Sequence, residues 1–254
     1  MKRFVRENGA ALALAVVAAA GLKLAYSRLG PDQLTFMTGP TQALVTLITG
    51  CDFTYESDYG YVSLAHRIVI AKSCTGVNYL LAVFGMLAFT LVPAAAGQRA
   101  KLLALGSVAG ISYATTVAVN SLRIALGIAL RDAGFAWGWL TPERVHRAAG
   151  IVVYFLALVA VHALASRTLL RPCEGGRRCT GMLRAPLVWY GLVALALPFL
   201  NGAFLAHPRL FAEHSAWVLA VALLLAGGLG LLSRRRAAAS SYQPTPTRDA
   251  APAL

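Results

Sequence analysis

Six apolar stretches, at residues 9–26, 77–96, 102–119, 148–166, 187–206 and 215–233, constrain this chain more than any other feature of it. A helix needs roughly 20 predominantly apolar residues to cross the hydrocarbon core of a bilayer. Each stretch is close to that length. Composition agrees: of 254 residues, 58% are hydrophobic and 13% charged, against about 25% charged in soluble domains. A soluble globular enzyme is excluded, and so is general disorder. The expected fold is an all-α multi-pass membrane protein with about six to eight transmembrane helices. Residues 1–236 form one integral membrane domain, and the Ala/Ser/Pro/Thr-rich segment 237–254 is expected to be a disordered cytoplasmic tail. A seventh apolar segment, 34–50, contains Gly39 and Pro40. It could span, dip in, or lie at the surface.

The net charge of +13 raises the question of nucleic acid. A nucleic-acid binder gathers its cations on a folded polar face. Here they fall in short gaps between apolar runs, as orientation signals do, and no nucleic-acid partner is expected. With the N-terminus inside and six crossings, 14 of the 23 Lys and Arg residues fall inside and eight outside, Lys23 lying within the first span. Seven of the ten acids fall outside. If 34–50 crossed alone, Arg234-Arg235-Arg236 would face outward. Both termini are therefore placed inside, with an even number of crossings. The first span reads as an uncleaved anchor, with a cleaved signal peptide as the alternative.

Residues 51–76 are the least membrane-like part before the tail. Cys51 to Glu56 and Tyr61 to Leu64 read as strands around the turn Ser57-Asp58-Tyr59-Gly60, and Arg67 to Ala71 as a third. Open sheet edges are not tolerated in lipid. The segment is therefore expected to be a small β-hairpin platform on the outer face, unless it is only a connecting loop.

Counting crossings brings three polar residues together. Cys74 precedes the span beginning at Val77, Arg123 follows the return span, and His146 precedes the span beginning at Ala148, with no span between the last two. All three share a membrane face in either orientation. A thiolate is the reactive form of cysteine, histidine exchanges protons near neutrality, and arginine stabilises a developing oxyanion. Thr141-Pro142-Glu143 reads as an N-cap followed by proline at the first helical position, which sets His146 in the first two turns. Asn120 and Arg123 share a helix face. Taken singly, each has an ordinary reading: an inert buried thiol, a snorkelling arginine, a structural histidine.

The motifs Ser73-Cys74-Thr75-Gly76-Val77, Asn120-Ser121-Leu122-Arg123-Ile124 and His146-Arg147-Ala148-Ala149-Gly150, in that order beside apolar helices, resemble the exosortase/archaeosortase family. That family's pattern is a Cys-Ser-Gly-like turn, an Asn-x-x-Arg element and a His-x-x-x-Gly element. The compact length, and Thr75 at the usual serine, look most like the exosortase K branch. The resemblance covers about residues 53–155, with the catalytic elements in 74–150. It implies a cysteine protease or transpeptidase in the bacterial inner membrane with its active site facing outward. The implied substrates are exported proteins ending in a short motif, a hydrophobic helix and a basic cluster. It implies Cys74 as nucleophile, His146 as general acid/base and Arg123 as oxyanion stabiliser, with Asn120, Thr75, Gly76 and Gly150 in support. No cofactor or metal is implied.

Other features are set aside. Cys173 and Cys179 fit no common zinc spacing, and a Cys51–Cys74 disulfide would silence the nucleophile. His162 lies roughly 24 Å along the helix from His146 and reads as a packing residue. His66, His207 and His214 read as solvated, and Gly227-Gly228-x-Gly230 as helix packing. The competing function is a non-enzymatic transporter or scaffold. A transporter would place paired ionisable groups at mid-membrane, and here only Lys23 and His162 lie within spans.

Overall fold

The computed structural model describes residues 2–134, 138–139, 141–168 and 183–241. Cys173, Cys179 and the tail after residue 241 lie outside them. In chain order the elements are α1 (Lys2–Arg28), α2 (Thr35–Thr49), β1 (Thr54–Glu56), β2 (Gly60–Ser63), β3 (Ile68–Ile70), α3 (Val77–Leu91), α4 (Gln98–Asp132) and α5 (Pro142–Thr168). They continue with α6 (Arg184–Gly191), a π-helical turn (Leu192–Ala196), α7 (Leu197–Leu200), α8 (Ala203–Ala206) and α9 (Pro208–Ser241).

Among the described residues, five helical segments are long and apolar enough to cross a membrane: Arg6–Arg28, Lys72–Ala94, Gln98–Asp132, Pro142–Thr168 and Pro208–Gly228. The chain is a helical membrane protein, with one small sheet among the described residues. The expected span at 187–206 needs correction. Its helical rod is the shorter Arg184–Leu200, which ends at Asn201-Gly202, where Gly202 takes φ +78°. The apolar residues after that turn belong to the separate α8. At the other end of the chain, α9 continues to Ser241, into the segment read as tail.

α3 is the hub. Its sequence is apolar on every side, as in a helix enclosed by others, and 61% of its apolar window is buried against 17% for α1 and 11% for α9. It packs on α1, α4, α5 and α6, with Val83, Met86 and Ala88 fully buried. The outer surfaces of α1 and α9 carry exposed Val17, Leu24, Leu223 and Leu224. Water would penalise such a surface and lipid does not.

α4 has 35 residues, roughly 52 Å at 1.5 Å per residue, well beyond a hydrocarbon core of about 30 Å. Its C-terminal part carries a second cluster in which Val45 of α2, Cys51, Ile70 of β3, Ile124 and Ile128 pack together. α2 has 15 residues, about 22 Å, too short to cross alone. It lies along α4, where the Tyr113 hydroxyl donates to the Phe36 carbonyl at 2.6 Å and Ser121 donates to the Thr41 carbonyl at 3.2 Å.

The polar insert forms a three-stranded antiparallel sheet in the order β1-β2-β3, with Tyr55 opposite Tyr61 and Tyr61 opposite Ile70. Its strands are shorter than the sequence suggested, and the third is part of the sheet. The Tyr55 phenol donates to Asp32 just before α2, and that hydrogen bond pushes Tyr55 up to about 12. The Arg131 guanidinium, at the end of α4, donates to the His66 carbonyl in the β2–β3 turn at 2.6 Å. The sheet is thereby fixed to both helices beside it.

Candidate active site

β3 runs into a single 3-10 turn, Lys72–Cys74, and Gly76 then starts α3. Lys72 anchors this turn. Its ammonium donates to the Leu29 carbonyl at 2.6 Å beyond the end of α1, and the Tyr26 hydroxyl donates back to the Lys72 carbonyl at 3.0 Å. Cations suit the C-terminal end of a helix, where carbonyls lack partners. Gly76 holds φ +73°, and a Cβ there would come within 3.3 Å of Asn120 and 3.1 Å of Thr116. Any larger residue would be strained by its backbone and pushed off α4.

α4 and α5 are antiparallel, and their facing residues pair in one register. Asn120 meets Tyr154, the Tyr154 hydroxyl donating to Asn120 Oδ1 at 2.7 Å. Arg123 crosses Gly150, where a Cβ would lie 3.0 Å from Arg123 Nε. His146 crosses Gly127, where a Cβ would lie 2.6 Å from His146 Nδ1. The two large polar side chains thus each lie over a glycine of the opposite helix. α5 begins as its sequence predicts: Pro142 is the first helical residue, and Thr141 Oγ1 accepts from the Arg144 amide at 3.4 Å. The cap fixes the phase of the helix and so the direction of His146.

The result is a connected polar network. Arg123 Nη1 donates to Asn120 Oδ1 at 3.3 Å and to the Tyr154 hydroxyl at 3.4 Å, while Nη2 lies 3.5 Å from His146 Nε2. The guanidinium also sits over the Tyr154 ring, 5.3 Å from its centroid. Arginine offers no acceptor, so a hydrogen bond to His146 requires Nε2 to be unprotonated. The Asn120 amide donates to the Cys74 carbonyl. Asn120 therefore joins the cysteine turn to the arginine.

A cavity of about 730 Å³ opens over this network, with Ser73, Thr75, Arg123, His146, Gly150 and Tyr154 in its wall. Cys74 is not among the lining residues. Its Sγ lies 3.9 Å from the Val69 carbonyl oxygen and 4.0 Å from Ser73 Oγ. Among the described residues, Cys51 and Cys74 are both free thiols. Of the sequence-predicted residues, Asn120, Arg123, His146, Gly76, Gly150 and Thr75 converge, and the Cys74 backbone joins them while its sulfur points to β3. His214, expected to be solvated, is corrected: it is partly buried and lines the same cavity. Its neighbour Glu213 pairs with Arg144 at 3.0 Å and Arg147 at 3.5 Å, which draws α9 against α5. His162 is buried elsewhere on α5.

Tyr154 and Gly127 escaped the sequence reading. Each carried a signal, since Tyr154 is one turn beyond Gly150 on the His146 face and Gly127 one turn beyond Arg123. The register between the helices was missing. Comparisons of the chain with protein-family models, with curated proteins and with solved structures return no match.

Proposed function

We propose that the chain is a membrane-embedded cysteine protease or transpeptidase, which cleaves a C-terminal sorting signal from exported proteins at the outer face of a bacterial inner membrane. The observation that carries this reading is the Arg123–His146 pair at 3.5 Å, tied through Asn120 to the Cys74 carbonyl at the wall of one cavity. The resemblance to exosortases rests on the same residues. In this reading α1, α3, α4, α5, the α6–α7 rod and α9 make six crossings, both termini are inside, and α2 and the sheet lie on the outer side.

The chemistry is acyl transfer. The Cys74 thiol turns from Val69 into the cavity by a change of χ1 well and gives its proton to His146 Nε2. Sulfur attacks the scissile carbonyl carbon, and the carbonyl oxygen becomes an oxyanion beside the Arg123 guanidinium. The C–N bond then breaks, and the departing amine takes the proton from His146. The thioester on Cys74 is released by water or an amine, which passes a proton to His146 as it attacks, and the thiolate leaves. The substrate's own hydrophobic helix lies in the bilayer, so docking within the membrane holds the cleavage site near the thiol.

Co-expression tests this directly. An exported protein carrying a C-terminal motif, a hydrophobic helix and a basic cluster, taken from the same genome, should lose its tail only when the chain is present. Intact mass before and after reads the cut. No candidate tail cut by the wild-type chain would refute the reading. Orientation is tested by labelling in intact cells on a cysteine-free background, where Arg209→Cys should react with an impermeant maleimide and Gln98→Cys should not. The reverse pattern would invert the topology.

The glycine under the histidine supplies a further check. In Gly127→Ala the new methyl must displace the His146 ring, and a misplacement of about 1 Å can cost about 10²-fold in rate. Gly106, on the same helix, has open space around it. Gly106→Ala should keep full processing and gain up to about 1 kcal/mol of helix propensity. Equal processing rates in the two variants would count against His146 as the acid/base.

A further inference from the structure

Thr75 is 1% exposed and Tyr79 3% exposed, and neither Thr75 Oγ1 nor Tyr79 Oη has a hydrogen-bond partner among the described residues. Both residues line the cavity. A buried hydroxyl left without a partner costs about 1–3 kcal/mol, and native proteins rarely carry one without a reason. Thr75 ends the 3-10 turn just before the left-handed Gly76, and Tyr79 stands in the first turn of α3, so both lie where the chain enters that helix.

Neither hydroxyl can be moved readily to a partner within the protein. The Tyr79 ring is held by stacking on Tyr154, centroids 4.5 Å apart and planes 13° from parallel, and Tyr154 is itself held by its bond to Asn120. Thr75 is β-branched and restricted at χ1. It sits between the Cys74 turn and Gly76, which is wedged against Asn120. Each hydroxyl therefore remains an unspent donor, covered at the wall of the cavity.

The geometry points to Thr75 and Tyr79 as substrate-binding groups that donate hydrogen bonds to carbonyl oxygens of the bound peptide. This rests on the acyl-transfer reading above and deepens it. Thr75 directly follows the nucleophile and serves the scissile carbonyl, sharing the oxyanion with Arg123. Tyr79, in the first turn of α3, takes the carbonyl of an adjoining residue in an extended peptide. A donor that strengthens in the transition state acts on kcat, whereas one that binds ground and transition states equally acts on KM.

The test combines stability with kinetics in the full chain in detergent. Removing a partnerless buried hydroxyl relieves a desolvation penalty. Thr75→Val and Tyr79→Phe should therefore melt at or above the wild-type temperature. Processing should fall nonetheless, about 10²-fold or more in kcat for Thr75→Val, and mainly through a raised KM for Tyr79→Phe. Thr75→Ser, which keeps the hydroxyl, should restore most of the rate. Full processing by both variants would overturn the inference while leaving Cys74 as nucleophile intact. A clear loss of melting temperature in both would overturn it too, because the hydroxyls would then have partners within the fold. Failure of the reading beneath it looks different: the tail would still be cut by Cys74→Ala.

Discussion

Cys74→Ala should abolish cleavage of the tail, by at least about 10³-fold, with membrane levels close to wild type. In the proposed mechanism, loss of the thiol leaves oxyanion stabilisation and positioning with nothing to attack the carbonyl. The structural cost is small. Cys74 is only partly buried at the edge of the second cluster, and a group of methylene size contributes about 0.8 kcal/mol when buried. Its structural tie to Asn120 runs through the backbone carbonyl, which alanine keeps. Cys74→Ser should be equally inactive, since an alcohol ionises far less readily than a thiol beside the same histidine. Normal abundance with no cleavage separates chemistry from folding. A membrane fraction depleted of the variant would instead mark Cys74 as a packing residue.

Arg123→Lys should lose about 10²- to 10³-fold in processing, the usual cost of one oxyanion donor. Both side chains are cations, so charge alone predicts little change. Geometry predicts a large one. Arg123 meets Asn120 and Tyr154 through Nη1 while Nη2 faces His146. A lysine ammonium is a single point that cannot hold all three directions at once. The loss should appear in kcat with the tail still bound, measured as processing rate against substrate concentration in detergent. A lysine variant within about twofold of wild type would leave Arg123 as a mere counter-charge.

Much of this architecture is written in the sequence, and the limits have physical causes. Apolar runs identified the helices because lipid imposes a length and excludes charge. Counting crossings put Cys74, Arg123 and His146 on one face, since parity needs no knowledge of packing. The Thr141-Pro142 cap was legible because capping chemistry is local. Helix ends were less legible. Residues 120–132 continue α4 past the apolar run as an amphipathic stretch packed on α2 and β3, while Asn201-Gly202 breaks a run that hydropathy alone reads as continuous. The partners of the site were hidden for a different reason. Periodicity gives the face of each helix but not the register between two, and the pairing of Arg123 with Gly150 and of His146 with Gly127 exists only once that register is set. The direction of the Cys74 sulfur, towards Val69, depends on a single side-chain torsion and left no trace in the sequence.

The proposed mechanism passes through one covalent intermediate, the thioester on Cys74. The measurement is peptide mass spectrometry of the chain quenched in acid during turnover of a tail-bearing substrate. A thioester linking the new C-terminus of the substrate to Cys74 should appear, vanish on treatment with hydroxylamine, and be absent from Arg123→Ala and His146→Ala. Cleavage of the tail with no adduct on Cys74, and undiminished in Cys74→Ala, would contradict the account.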